Sequence, residues 1–277
     1  MTHDNGSNNT PAEPRQPKIW LANVGANTAH PFFSPRFEDG TFELLPIPET
    51  PPEPGPHSVR FADVPAFNNA GHRPGETLGR WVPERFQEMA THYDPEFTTL
   101  TYGDNVERNA RAAALRSVEP GDVLFFIVRL ADWSDGAFTD RFGFYLAGFL
   151  EVESILSGVR EEPTAAELDR YGANAHVRRG RNNPSEHWDA FWVFGGSGRS
   201  RRLSRGVPVD RALADRVFTR ADGGRWRWNP DRSELQTIGS YTRSCRCVIN
   251  TSDADGRERA ALLWSAVETL NPGVRPV

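Results

Sequence analysis

Two apolar runs constrain the fold more than anything else in this chain: residues 123–130 (VLFFIVRL) and 144–156 (FYLAGFLEVESIL). Each is of strand length rather than helix length, and the first follows the turn sequence Glu119-Pro120-Gly121-Asp122. A polar loop over 132–141 is expected between them. Residues 18–21 (KIWL) read as a short buried strand and 190–195 (AFWVFG) as another. Helices are expected over 81–90, with Pro83 in the first turn, and over 105–118, 163–170 and 256–270. Six prolines between positions 46 and 56 hold that stretch extended. Strands and helices intersperse without regular βαβ alternation. The expected class is therefore α+β, a mixed or antiparallel sheet flanked by helices.

The charge is unevenly placed. The 277-residue chain has a net charge of −5. Residues 1–170 carry 26 acidic against 14 basic side chains, whereas 171–246 carry 15 basic against 7 acidic. Lys18 is the sole lysine, so the basic segment is built of arginine. Such a segment in an acidic protein suggests a face for phosphate or nucleic acid. Cys245 and Cys247, one residue apart, suit neither a disulfide nor a zinc knuckle, which points to a reduced, cytoplasmic setting. No apolar run reaches the roughly 20 residues that span a bilayer. Residues 1–17 have the composition of a disordered polar head, leaving 18–277 as a single domain.

Candidate chemistry gathers in polar knots at strand ends. The stretch 23–49 combines Asn23, Gly25, Asn27 and His30 with an Asp39-Gly40 hairpin signal and Glu49 beyond Pro-Ile-Pro. A second knot holds His92, Asp94, Tyr102 and Asp104, its backbone fixed by Pro95 and Gly103. A third is Asn174 and His176 followed by Arg178, Arg179 and Arg181. A fourth, Gly195-Gly196-Ser197-Gly198-Arg199, exposes several backbone N–H groups and, with Arg201 and Arg202, suits a phosphate, although it lacks the spacing of a P-loop. A fifth, rich in hydroxyls, runs from 236 to 244 and includes Arg243. His92 with Asp94, or His176 with a carboxylate, has the makings of a general acid–base pair. His30, His92 and His176 with Asp104 offer a less regular alternative, a divalent-metal set. Any one of these residues alone is an ordinary turn or surface group; the clustering is what points to a site.

Two resemblances add to this reading. Pro-Gly-Asp feeding an apolar strand, followed by AGFLEVESI, resembles the barrels of PUA-like domains, which bind RNA or modified bases. The order NVGAN, FEDGTFELLPIPE, HYDPEFTTLTYGD, PGDVLFFIV, FYLAGFLEVE and NAHVRR resembles the nucleotide modification associated domain family, third class, over roughly 18–205. On its matching motifs fall Asn23, Gly25, Asp39, Glu49, His92, Asp94, Tyr102, Asp104, Arg129, Asn174 and His176. The chain departs from the family's pattern at Arg129-Leu130-Ala131-Asp132.

Together these lines support two functions. One is an enzyme of nucleotide or nucleic-acid base modification, a hydrolase or transferase. In it His92, Asp94, Asp104 and His176 are catalytic and a phosphate is gripped by Arg178, Arg179, Ser197, Arg199, Arg202 and Arg243. Asn23, Asn27, Asp39, Glu49, Tyr102 and Asn174 complete substrate binding. The other is a non-catalytic reader that stacks a modified base on Trp188, Phe191 or Trp192. The partner is a nucleotide or nucleic acid and not a membrane; the sequence specifies neither a cofactor nor an oligomeric state. A structural protein with no nucleic-acid role is the remaining alternative.

Overall fold

The structure is a computed structural model that describes residues 15–26, 29–50, 54–68, 75–220, 223–225 and 245–275. Asn27 and the whole hydroxyl-rich 236–244 segment, Arg243 included, lie outside the described residues.

The two apolar runs form the centre of an eight-stranded mixed sheet. β6 (Val123–Ser134) and β7 (Ala137–Val159) pair antiparallel. β1 (Lys18–Asn23) and β2 (Ser34–Arg36) run parallel to β6, and β10 (Cys245–Asn250) closes one side against β1. β7 also pairs with β8 (Phe191–Gly196) and β9 (Arg201–Pro208), and β8 with β5 (Thr101–Asp104). The order β10-β1-β6-β7-β8-β5 has two ends. Among the described residues the sheet is therefore open, and the PUA-like closed barrel is not formed. β3 (Ile47–Pro48) and β4 (Thr91–His92) make a separate two-stranded sheet.

The β6 and β7 runs are continuous because both faces of the sheet are covered. On one face Ile19, Leu21, Val123, Phe125 and Ile127 pack with Trp264 and Val267 of α6 (Ala254–Leu270) and with Ala214 and Val217 of α5 (Arg211–Val217). On the other, Trp20, Ala22, Leu124, Phe126 and Val128 pack with Phe42, Tyr102 and Leu115. Odd and even positions thus separate by the two-residue period of a strand. Asp122, fully buried, ties the starts of β1 and β6 together. It accepts from Lys18 N at 2.7 Å, Trp20 Nε1 at 2.9 Å and Arg15 Nη2 at 2.7 Å.

Several local expectations are corrected. The 132–141 loop is instead the end of a long hairpin, turning at Asp135 (φ 52°) and Gly136 (φ 82°). Consecutive left-handed residues match the twist of paired strands, which lets the ladder continue to the turn. The 105–118 helix is reduced to a 3₁₀ turn at Ala113–Ser117. The Asn109 side chain accepts from Arg111 N at 3.0 Å, taking an amide that a helix would need. The 81–90 helix is reduced to a single turn, α1 (Glu84–Gln87), directly after Pro83 and preceded by a 3₁₀ turn at Leu78–Trp81. α2 (Ala165–Tyr171), α3 (Ala175–Asn182) and α4 (Pro184–His187) follow β7. No helix among the described residues is long and apolar enough to cross a membrane.

Candidate active site

A cavity of about 550 Å³ opens where β1 ends, between the small β3–β4 sheet, β5 and the start of α3. Its wall draws on Asn23, Glu49, His92, Asp94, Tyr102, Asp104, His176 and Arg179, which sequence had marked in three separate knots. Gly25 turns the chain out of β1 with φ +73°; a Cβ there would lie 2.9 Å from the Leu45 carbonyl oxygen, so only glycine fits.

The floor is a linked set of buried polar groups. Glu49 follows β3 and His92 ends β4, so the pairing of those strands sets their side chains together. Glu49 Oε1 lies 2.8 Å from His92 Nδ1, and Glu49 Oε2 lies 2.9 Å from Arg179 Nε. The His92 and His176 rings meet edge to face with centroids 4.6 Å apart. Asp94 Oδ2 accepts from Gly103 N at 2.8 Å and from Asn174 Nδ2 at 3.2 Å. Asn174 in turn caps α3 by accepting from His176 N at 3.0 Å. Asn174 therefore positions Asp94 and His176 from beneath, fully buried. Asp94 Oδ1 is buried with no hydrogen-bond partner among the described residues.

Burial governs the protonation of this floor. It pushes Asp94 up to about 7, against the pull of His92 and the Gly103 amide. Burial and the neighbouring charges of His92 and Arg179 hold His176 well below the usual imidazole range. Burial also opposes charge on His92, but the hydrogen bond and charge of Glu49, helped by Asp94, outweigh it and raise that pKa.

Other marked residues lie elsewhere. Arg178 lines an adjoining cavity of about 280 Å³ that shares Glu49, Thr50 and Arg179 with the first. Arg199 donates from Nε to Glu151 Oε2 at 2.8 Å, and Ser197 bonds the same carboxylate. Arg202 donates to Glu43 at 3.0 Å and to the Phe42 carbonyl at 2.8 Å. Asp39 accepts from Thr41 N and Oγ1 within its hairpin turn. Arg129 sits over Phe33 and Phe142, with 4.6 and 3.9 Å from guanidinium to ring centroid. None of these lines the main cavity. The acidic front and arginine-rich back do meet, but largely as internal ion pairs; among the described residues Arg179 is the arginine of the basic segment that reaches the cavity wall, where it pairs with Glu49. The three aromatics considered for base stacking are also committed. Phe191 is fully buried and stacks on His176, Trp188 packs beside it, and Trp192 Nε1 donates to Glu107.

Sequence reasoning missed Thr50, Asn109 and Arg111 in the wall. Arg111 belongs to the stretch read as helix, so its approach to the cavity had no sequence signal. Gly103 was noticed only as a backbone element. A Cβ there would sit 2.6 Å from His176 Cδ2 and 2.8 Å from Asn174 Oδ1, so its missing side chain is what lets the floor assemble.

The model of nucleotide modification associated domain 3 matches residues 18–242. The chain belongs to this family. The match reaches past residue 205, where the sequence resemblance ends, and takes in the end of β9 and α5. No curated protein and no solved structure matches the chain.

Proposed function

We propose that this nucleotide modification associated domain binds one phosphate-bearing nucleotide unit, free or within a nucleic acid, and acts on it by general acid–base chemistry. The observation that carries the reading is that the cavity combines two cations, Arg111 and Arg179, with a buried carboxylate–imidazole floor. Its volume of about 550 Å³ falls within the range of small-ligand sites. Arg111 and Arg179 take the phosphate; Asn23, Thr50 and Asn109 supply hydrogen bonds to sugar or base. His92, held by Glu49, and Asp94, with Oδ1 unsatisfied, are the proton-transferring pair. The commitment of Phe191, Trp188 and Trp192 to packing removes those three as stacking platforms among the described residues, which favours chemistry over passive reading.

The test is binding of nucleoside 5′-monophosphates and short oligonucleotides to the wild type and to Arg111→Ala and Arg179→Ala. Affinity should fall in each variant, and for oligonucleotides should drop between about 50 and about 200 mM salt. His92→Ala should retain oligonucleotide affinity and lose turnover. Binding indifferent to both arginines and to salt would remove the reading.

A further inference from the structure

Four features of the cavity floor have no explanation in packing. Asp94 is 8% exposed, yet among the described residues its Oδ1 has no hydrogen-bond partner while Oδ2 has two donors. An unsatisfied buried carboxylate oxygen is costly, and a proton, a water or a cation relieves it. Two imidazoles, His92 and His176, bring a ring nitrogen each to the same point. These two nitrogens and one Asp94 oxygen all lie within 4.8 Å of one another. Finally, the groups behind two of the three side chains satisfy their outward atoms: Glu49 holds His92 Nδ1, while Gly103 N and Asn174 hold Asp94 Oδ2.

We infer that His92, Asp94 and His176 form a binding site for a divalent transition-metal cation, of the class that takes mixed nitrogen and oxygen ligands. With Nδ1 engaged by Glu49, Nε2 is the His92 nitrogen left for a cation. A carboxylate on the remote nitrogen is the usual support of a metal-bound histidine, fixing both tautomer and ring orientation. Asp94 is oriented through one oxygen and offers the other. Two imidazoles and one carboxylate suit zinc, iron, cobalt or nickel better than magnesium or calcium, whose sites are built of oxygen. Zinc ligands at about 2.1 Å stand about 3.4 Å apart in a tetrahedron, so small side-chain rotations close the set.

Three protein ligands leave at least one position open, the mark of a catalytic rather than a structural site. All three line the cavity, so the open position faces the space assigned above to the nucleotide. This purpose rests on that reading; cation binding itself does not. The cation would polarise the oxygen of a water or nucleotide placed there, and the proton handling given above to His92 and Asp94 would pass to a water that it holds. The competing occupant is a proton on Asp94, and solution binding separates the two.

The experiment uses the full chain, stripped with a chelator and dialysed. Titration calorimetry with Zn²⁺ should give one site per chain, and Co²⁺ should give visible ligand-field bands with the same stoichiometry. Asp94→Asn and His176→Ala should each weaken Zn²⁺ at least 100-fold, Glu49→Gln about 10- to 100-fold, and His57→Ala and Cys247→Ser not at all. Circular dichroism checks that the variants fold. If Asp94→Asn does not, the wild-type Co²⁺ spectrum decides: nitrogen–oxygen ligation supports the site and thiolate charge-transfer bands overturn it. Full Zn²⁺ affinity in an Asp94→Asn/His176→Ala double variant, or no stoichiometric binding by the wild type, also overturns it. Nucleotide titrations run with and without cation keep the two proposals apart. Loss of cation binding with intact Arg179-dependent nucleotide binding removes only this inference; the reverse removes only the nucleotide reading.

Discussion

Glu49 and His92 are 43 positions apart and meet at 2.8 Å, Oε1 to Nδ1, because the short strands β3 and β4 pair Ile47 with His92. Glu49 divides its two oxygens between His92 and Arg179 and so couples the imidazole to the cation of the cavity wall. In chelator-treated protein, Glu49→Gln should lower the His92 pKa, because burial then acts with less opposition. The sign carries over to stability. His92 has a folded pKa above the ordinary 6.5, so its contribution is full below about pH 6.5 and is lost as pH rises through the folded value. The variant should flatten that slope. Imidazole NMR titration and denaturant melts at several pH values measure both; an unmoved His92 pKa would show that Glu49 does not set it.

Arg202 is paired with a buried carboxylate. Glu43 is fully buried and accepts from Phe67 N at 3.0 Å, Asn68 N at 2.7 Å and Arg202 Nη2 at 3.0 Å. Removing the guanidinium strands a buried carboxylate, so Arg202→Ala should cost about 3–5 kcal/mol in denaturant melts. A well-folded Arg202→Ala protein of unchanged stability would contradict the pairing.

Arg199 contrasts with it. Its side chain is 60% exposed, and its ion pair with Glu151 is screened by solvent. Arg199→Ala should cost about 0–1 kcal/mol and leave nucleotide affinity unchanged, whereas Arg179→Ala should reduce that affinity. Equal losses of affinity in the two variants would mean that the phosphate reaches the β8–β9 turn.

The parts of the fold legible in the sequence were those with a local physical signature. The apolar runs of β6 and β7, the β1 strand, α6 and the Asp39-Gly40 turn all show in composition and period. Gly40 does take φ +83°. Failures came where a side chain or a turn overrode the pattern. Asn109 took an amide from the 105–118 helix, and the left-handed pair at 135–136 carried the strands through what reads as a polar loop. Of the site, residue types at strand ends were visible, and so His92, Asp94, Tyr102 and His176 could be named. Which arginines face a cavity was not visible, because ion pairs such as Arg202–Glu43 span 159 positions. The metal set named from sequence included His30 and Asp104, whereas the three groups that converge are His92, Asp94 and His176. Asp94 reads from sequence as an acid–base partner of His92; only the fold shows which of its oxygens is left over.

Gly103 gives the sharpest check on the floor. It lies in β5 opposite Val193 of β8, and its amide is one of the two donors to Asp94 Oδ2. Gly103→Ala keeps that amide but places a methyl 2.6 Å from His176 Cδ2, 2.8 Å from Asn174 Oδ1 and 3.2 Å from Asp94 Oδ2. Contacts under 3 Å to a ring and an amide wedged in the core cannot both relax without moving α3 away from β5. Overpacking of this kind costs about 1–3 kcal/mol. The loss should appear in the thermal midpoint together with weaker Zn²⁺ binding, since His176 shifts relative to Asp94. By contrast Gly198→Ala, with open space around the added methyl, should leave the cation site unchanged. A Gly103→Ala protein with wild-type stability and wild-type Zn²⁺ affinity would mean that the three ligands do not meet beside β5.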